Sequence, residues 1–450
     1  MSAALTDAIA VNTYGDPKTK NLLKIGLYVA MVPFFVSLLG YNGALGGRAW
    51  GGWLAFGLVF VPFLALSVAY IVATYRRLTP GIKNDGLTVH ALSSRRVSAY
   101  LLGALLTSLY ILLYWFGGAL KGPIEVMEPL SQLLRKSPAD QWFFYGFIYT
   151  AAVCVMGVRM LYRYRHNKYQ IFRTLSVMFF QLAFAFILPG LLKAFHQPEF
   201  YFTYFWPLKA DYLFPGSFEW LWNQGHVGMF MFGWGVIASF VLTPILTWRF
   251  GKRWYCSWVC GCGGLAETAG DPFRQLSSKT LAAWKFERWS IHLVLVLIVG
   301  VTALLWVDLG AFSNDLKAWY GFFVGAALSG VVGVGFYPLL GSRVWCRFFC
   351  PMAAILGIFQ RFYSRFRITT NGDQCMSCGN CSNACEMGID VRAYAMTGKN
   401  IVRASCVGCG ICAAVCPRGV LKLENGPTHK DRFKGAEHPL SDLLGSLKKR

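Results

Sequence analysis

The sequence predicts an all-α polytopic membrane protein of about eight transmembrane helices, followed by a small, cysteine-rich C-terminal α+β domain. Three observations predict this class. The 450 residues are 55% hydrophobic and 16% aromatic, with a mean hydropathy of +0.44, a balance suited to lipid rather than water. Apolar runs long enough to cross a bilayer recur at 25–41, 53–75, 97–117, 141–161, 173–195, 226–248, 289–310 and 319–340. Beyond them, Cys375 to Cys416 contains eight thiols in two runs of C-x-x-C-x-x-C-x-x-x-C.

These two runs carry the most specific chemistry in the chain. Their spacing is the one with which bacterial ferredoxins hold a pair of 4Fe-4S clusters, each run lending its fourth cysteine to the other's cluster. One cluster is expected on Cys375, Cys378, Cys381 and Cys416, and the other on Cys406, Cys409, Cys412 and Cys385. Three thiols on one tight loop bring backbone amides toward the anionic sulfurs, and Gly379 and Gly410 permit the turn. Zinc sites usually take two C-x-x-C pairs, so the third cysteine of each run favours iron-sulfur over structural zinc or disulfides. Glu386 stands after Cys385 where the second run has Pro417 after Cys416, a change expected to alter the local turn without removing the cluster.

The formal net charge of +22 does not by itself indicate nucleic acid, because surplus Lys and Arg in a membrane chain belong in the loops that stay inside. The basic loops Arg76 to Arg96, Tyr162 to Arg173 and Arg249 to Arg288, with Lys18, Lys20 and Lys24, fall on one side of eight spans. This predicts a multi-pass protein of the bacterial inner membrane with both termini cytoplasmic. Met1 does not open a charged-then-apolar stretch with a cleavage site, so no secretory signal is expected. Of 14 cysteines, all but Cys154 sit in ligand-like spacings, which suits a reducing compartment. Cys154 reads as a small residue in a membrane helix.

A second cysteine pattern lies at the ends of two spans. GKRWYCSWVC from Gly251 and GSRVWCRFFC from Gly341 share Gly, Arg and both cysteines at identical offsets. This is an internal repeat. If a helix continues through each motif, its thiols share a face, and Cys256, Cys260, Cys346 and Cys350 can present four sulfurs to one metal ion or a third cluster. The first copy adds Cys262, which leaves the choice among Cys256, Cys260 and Cys262 open. Unligated core cysteines and redox-active thiols are the alternatives. Arg253 and Arg343 follow the positive-inside rule and are also placed to screen cluster charge.

Paired C-x-x-x-C motifs at span ends, followed by two ferredoxin runs, resemble the membrane-bound 4Fe-4S polyferredoxin family. It includes NapH-type quinol dehydrogenases, NosR-type electron donors and CcoG-type accessory proteins. The resemblance covers about 225 to 420. The family's C-x-x-x-C-P fits Cys350-Pro351, whereas Cys260 is followed by Gly261 and Cys262. It implies an electron-transfer subunit linking the quinone pool, cytoplasmic clusters and other redox subunits, including one on the outer side. The alternative it implies is a CcoG-like role in oxidase assembly or copper reduction. The sequence contains no C-x-x-C-H for covalent haem, and the stretch before Lys24 is too short for the outer flavin domain of NosR-type chains.

A hydrocarbon core about 30 Å thick must be bridged. A quinone near the inner helix ends, with His292 beside it, is the leading expectation. A b-type haem between His196 and His226 is disfavoured, since no second His pair lies on the inner side. In the loop from His196 to Gly225, FYFTYFWP and FEWLWNQGH read as interfacial aromatic belts or a docking surface, and Lys193 and Asp308 read as interfacial. The expected organisation is a cytoplasmic segment at 1–24, five membrane helices over 25–224 and a polyferredoxin-like membrane region at 225–365. The ferredoxin-like domain then covers 366–424, and a flexible tail 425–450.

Overall fold

The structure, a computed structural model, describes residues 17–46, 49–76, 94–307, 310–371 and 374–425. Asp308, the tail after Asn425 and most of the first segment lie outside the described residues. Among the described residues, seven helices are long and apolar enough to cross a membrane: α1 (Lys18–Leu38), α2 (Trp50–Tyr75), α3 (Val97–Trp115), α4 (Gln141–Arg163), α5 (Lys168–Ala194), α6 (His226–Phe250) and α7 (Leu281–Val307). The eighth expected run is also helical but changes type along its length. In this run, α8, an α-helical stretch at Ala311–Tyr320 gives way to a π-helical one at Gly321–Val332 and a last α-turn at Gly333–Gly335. Five glycines between Gly321 and Gly335 weaken regular α-helix there. Leu22, Tyr28, Leu101, Leu105, Leu293 and Val296 are each at least 60% exposed on these helices. A wall of bare apolar side chains is stable only against lipid, so the chain is a multi-pass membrane protein.

The C-terminal domain follows α9 (Pro351–Phe362) directly. Its strands β1 (Phe366–Thr370) and β2 (Leu421–Asn425) pair antiparallel, Phe366 opposite Asn425 and Thr370 opposite Leu421. Between them the two cysteine runs repeat one local shape. Gly379 and Gly410 are left-handed (φ +78° and +72°), and each caps a one-turn helix, Asn380–Asn383 and Ile411–Ala414. This is the turn expected of both residues.

The repeated C-x-x-x-C segments do not stop at the membrane edge. Gly251 and Gly341, at φ +68° and +96°, end the preceding helices, and a side chain at either would collide with Phe366 and Gln360 or with Ser277. Each copy then runs back into the bundle. In the first, Trp258 Nε1 donates to the Tyr169 hydroxyl at 3.2 Å, and a Cβ on Gly264 would touch Val177. A Cβ on Gly261 would strike Gln181 and the Tyr204 hydroxyl. Gln181 is close to the midpoint of α5, about 16 Å along it from Gln170. The chain returns through the helix Gly261–Glu267 to Asp271, which meets the C-terminal end of α4. The segment is a re-entrant hairpin, and the second copy returns likewise through α9. The helices do not run through the motifs as the shared-face argument supposed: one stops at Cys256 and the other at Phe349, and Cys260 and Cys350 are extended N-caps of the helices that follow.

The re-entrant segments are tied to the helices around them by buried charges. Asp271 Oδ2 accepts from Arg159 at 2.7 Å and Arg163 at 3.1 Å, and its Oδ1 accepts from Arg274 at 3.0 Å. Glu267 takes Arg173 and Arg343, while Glu386 takes Arg343 and Arg274. The three arginines hold the Asp271 carboxyl well below the usual carboxylate range despite its burial. Because its folded-state pKa is depressed, its stabilisation is complete above the unfolded pKa of about 4 and is lost only as pH falls through the lower folded value. Asp271→Asn leaves three buried guanidiniums undercompensated and is expected to cost about 3–5 kcal/mol. Glu125→Gln, breaking the exposed Lys121–Glu125 pair, is expected to cost less than about 0.5 kcal/mol. Thermal unfolding of the detergent-solubilised protein at neutral pH measures both.

Candidate iron-sulfur sites

The structure collects the ferredoxin cysteines into the two sets expected from their spacing. Cys375, Cys378, Cys381 and Cys416 line one cavity, and Cys385, Cys406, Cys409 and Cys412 line another. The fourth cysteine of each run crosses to the other's cavity. Peptide N–H groups point at the sulfurs: Ile389 N lies 3.4 Å from Cys385 Sγ, and the Ser382 and Gly408 amides face Cys381 and Cys406. Burial pushes the Cys381 thiol up to about 11 and Cys406 up to about 12. Thiols this reluctant to ionise alone, yet grouped in fours and ringed by donors, fit a bound metal cluster that supplies the positive charge. The two sets differ in access, for Cys378 is exposed whereas Cys385, Cys406 and Cys412 are buried.

The four thiols of the paired motif are all buried in one core with those of the second set. Cys350 is raised by burial and by the neighbouring Cys346, Cys256 and Cys260, so both copies converge on one place. Burial likewise lifts Cys256 to about 12. Cys262 stands apart: it is half-buried and lines a separate, larger cavity. By position, Cys256 and Cys260 match Cys346 and Cys350, while Cys262 is additional.

The second thiol set is fastened to the membrane region through its backbone. The carbonyls of Cys406, Val407, Gly408 and Cys409 accept in turn from Gln360 Nε2 (2.7 Å), Ser257 Oγ (2.9 Å), the Tyr169 hydroxyl (2.9 Å) and Gln170 Nε2 (2.8 Å). Ser257 follows Cys256, and Val407 follows Cys406. A hydrogen bond between the residues that follow these two cysteines therefore joins the paired motif to the ferredoxin loop.

Lys252, which helps complete this junction, was not singled out from sequence, whereas Arg343 and Glu386 were noted there and have larger parts in it. Lys252, 1% exposed, donates to Ala404 O at 3.2 Å, and its charge favours the ionised forms of Cys256, Cys346 and Cys406 together. Arg343, also 1% exposed, lies 3.3 Å from Cys256 O and 3.8 Å from Cys346 Sγ, and its other nitrogen holds Glu267 and Glu386. It is not a surface cation of the positive-inside kind. Glu386 does more than alter a turn: it is fully buried and bridges Arg343 and Arg274, which hold its carboxyl low, while Ser277 donates to its carbonyl at 2.6 Å. The signal available in the sequence was that an acid replaces the proline of the other run. Arg253, by contrast, rests on the rings of Phe366, Trp258 and Tyr169.

The remaining candidates scatter. His292 is on the exposed face of α7, and His196 and His226 are exposed at the opposite end of the bundle from the ferredoxin domain. Lys193 pairs with Glu199 at 3.8 Å. In the loop expected to form interfacial belts, Trp220 and Trp222 are indeed about half exposed. FYFTYFWP instead folds inward: Phe200, Thr203 and Phe205 are buried, and Tyr255 donates to Thr203 O at 2.7 Å.

The model of the 4Fe-4S dicluster domain matches residues 374–421, and that of the 4Fe-4S binding domain matches 232–280 and 323–369, once for each copy of the paired motif. The chain is 26% identical over 170 residues to YccM of Escherichia coli, a protein named for electron transport, covering 35% of this chain and 46% of that one. It is 28% identical over 201 residues to an uncharacterized protein of Methanocaldococcus jannaschii, covering 42% and 80%. It is also 28% identical over 162 residues to the methylamine utilization ferredoxin-type protein MauN of Paracoccus denitrificans, covering 34% and 56%. The chain thus spans about half the length of YccM and MauN. No solved structure matches it. Two kinds of 4Fe-4S domain therefore lie on one membrane chain that is similar over part of its length to YccM and MauN, which makes it polyferredoxin-like in its domain make-up.

Proposed function

We propose that the chain is an electron-transfer subunit exchanging electrons between the membrane quinone pool and a redox partner that meets its ferredoxin-like domain. The observation that carries this reading is the row of four carbonyls at Cys406 to Cys409, bonded to three separate parts of the membrane region. Such bonding suits fixed spacing between redox sites better than a loosely tethered domain. Cys375, Cys378, Cys381 and Cys416 hold one 4Fe-4S cluster, Cys385, Cys406, Cys409 and Cys412 a second, and Cys256, Cys260, Cys346 and Cys350 a third. When bound, each cluster is a one-electron carrier.

The protein residues divide the work. Lys252 and Arg343 keep positive charge between the paired motif and the second set. Gln360 and Ser257 hold the two loops together. At the first set, exposed Cys378 lies beside Arg392 and Arg418, a basic approach for an acidic soluble partner. Arg163, Arg165, Lys168, Arg249, Lys252, Arg253, Lys285 and Arg288 crowd the bundle end bearing this domain, which supports a cytoplasmic position for it in a bacterial inner membrane.

Anaerobically purified protein is expected to contain about twelve irons with matching acid-labile sulfide, and Cys346→Ser about a third fewer. Iron retained in full by Cys346→Ser would remove the paired motif from the ligand set and favour thiol or copper chemistry there. Gln360→Ala is expected to keep its iron while slowing electron passage between an added quinol and the ferredoxin-like domain. Stopped-flow absorbance would follow that passage.

A further inference from the structure

A cavity of about 620 Å³ enters the bundle from the end opposite the ferredoxin-like domain and reaches the tips of both re-entrant hairpins at Cys262, Trp345 and Pro351. One wall is a stripe on α4 formed by Trp142, Tyr145, Gly146 and Tyr149, at the i, i+3, i+4, i+7 spacing of a single helical face. The facing walls come from α3, α5 and α8, and from the inward-folded loop through Tyr201 and Tyr204. Three of the π-helical stretches contribute lining residues: Gln181 and Ala185 on α5, Val324, Gly325 and Ser329 on α8, and Trp345 before Cys350. Such departures from α-helix recur at functional sites.

The polar groups of this space are specific. Gln181 is 4% exposed and donates through Nε2 to Thr150 Oγ1 at 3.0 Å, but its Oε1 is buried without a hydrogen-bond partner. A buried acceptor left unpaired costs about 1–3 kcal/mol, so a ligand hydroxyl belongs there. The Tyr204 hydroxyl closes against the Gly261 backbone, where an added Cβ would strike it, and its proton can be donated to a ligand. One acceptor and one donor therefore stand beside the C-x-x-x-C tip, among tyrosine and tryptophan rings. Trp142 is 49% exposed, and Gly325 is exposed beside open space, so the same cavity meets the lipid face of the bundle.

We propose that this cavity is the quinone site, with Gln181 and Tyr204 positioning the head group and the passage between Trp142 and Gly325 admitting it from the membrane. The proposal rests on the quinone reading above and moves the site away from His292, which lies on the exposed face of α7 close to its midpoint. A quinol bound there would give up two electrons and two protons and leave as quinone. The electrons would pass singly to the iron-sulfur centre proposed at Cys256, Cys260, Cys346 and Cys350. The protons would leave to water at the mouth beside Asp140 and Glu199.

The test uses the intact, iron-loaded protein in nanodiscs with two probes, a photoreactive azidobenzoquinone and decylubiquinol. Labelling is expected on peptides containing Trp142 to Tyr149 or Tyr201 to Lys209. Gly325→Trp, whose ring fills space open at that position, and Gln181→Met are each expected to weaken labelling and slow reduction by decylubiquinol about tenfold, with iron content and reduction by dithionite unchanged. Wild-type labelling and reduction rates in both variants, with loss in His292→Ala, would overturn this location while keeping the quinone reading. Labelling confined to lipid-facing residues, or wild-type protein that neither is reduced by the quinol nor reoxidised by its quinone, would overturn the quinone reading itself.

Discussion

A peptide carbonyl withdrawn from water must be given a donor, and the loop from Cys406 to Cys409 has four of them in succession, each satisfied by a side chain from outside the ferredoxin-like domain. Gln360 comes from α9, Ser257 from the first re-entrant hairpin, and Tyr169 and Gln170 from the start of α5. Because these carbonyls bond outward, the amides of the same loop are free to turn inward toward the thiols, as Gly408 N–H does toward Cys406. The outward bonds set the position of the domain, and the inward ones set the sulfur environment. Gln360 joins both halves of the junction, since its Oε1 accepts from Lys252 N at 2.7 Å while its Nε2 serves Cys406 O and Arg403 O.

The charges around this junction are unbalanced in a way that fits what it holds. Arg159, Arg163, Arg173, Arg274 and Arg343 face the carboxylates of Asp271, Glu267 and Glu386, and Lys252 adds a further cation. Burying so many guanidiniums costs several kcal/mol each unless anions approach them closely. The surplus positive charge is directed at Cys256, Cys346, Cys406 and Cys409, whose ionised forms it favours. Thiolates holding an anionic cluster would complete the balance.

Cysteine spacing was legible because it is local. A C-x-x-C-x-x-C loop with glycine at the turn brings its thiols together whatever surrounds it, and Gly379 and Gly410 have the backbone that this requires. The repeat at Gly251 and Gly341 was legible for the same reason. Its depth in the bundle was not, because the hairpin course is set by contacts such as Gly264 with Val177 and Gly261 with Gln181, far apart in sequence. The loop FYFTYFWP was misread because composition cannot distinguish aromatic residues that anchor in the headgroup layer from those packed beneath it. Phe200 and Phe205 are buried, and only the Trp220 and Trp222 segment keeps the exposure of a belt. His292 drew attention as a titratable residue in an apolar run, while Gln181, uncharged and mid-span, gave no comparable signal. What singles Gln181 out is a missing hydrogen-bond partner, which only the assembled bundle reveals.

The hairpins and the cavity together answer a difficulty of transport across lipid. A carrier confined to one face of the bilayer must deliver electrons over a hydrocarbon layer about 30 Å thick, in which a fixed charge is costly. Here the chain enters that layer from both ends. From the ferredoxin side, the first C-x-x-x-C segment descends to the midpoint of α5, its polar backbone covered by protein rather than lipid. From the opposite side, the loop through Thr203 and Tyr204 folds in to meet it, with Tyr255 bonded to Thr203 O and Tyr204 against Gly261. On the proposed route, the distance left for electrons would be cut to a fraction of the membrane, and the polar cavity beyond it would give protons a route to water that the apolar faces of α1, α2 and α7 do not offer.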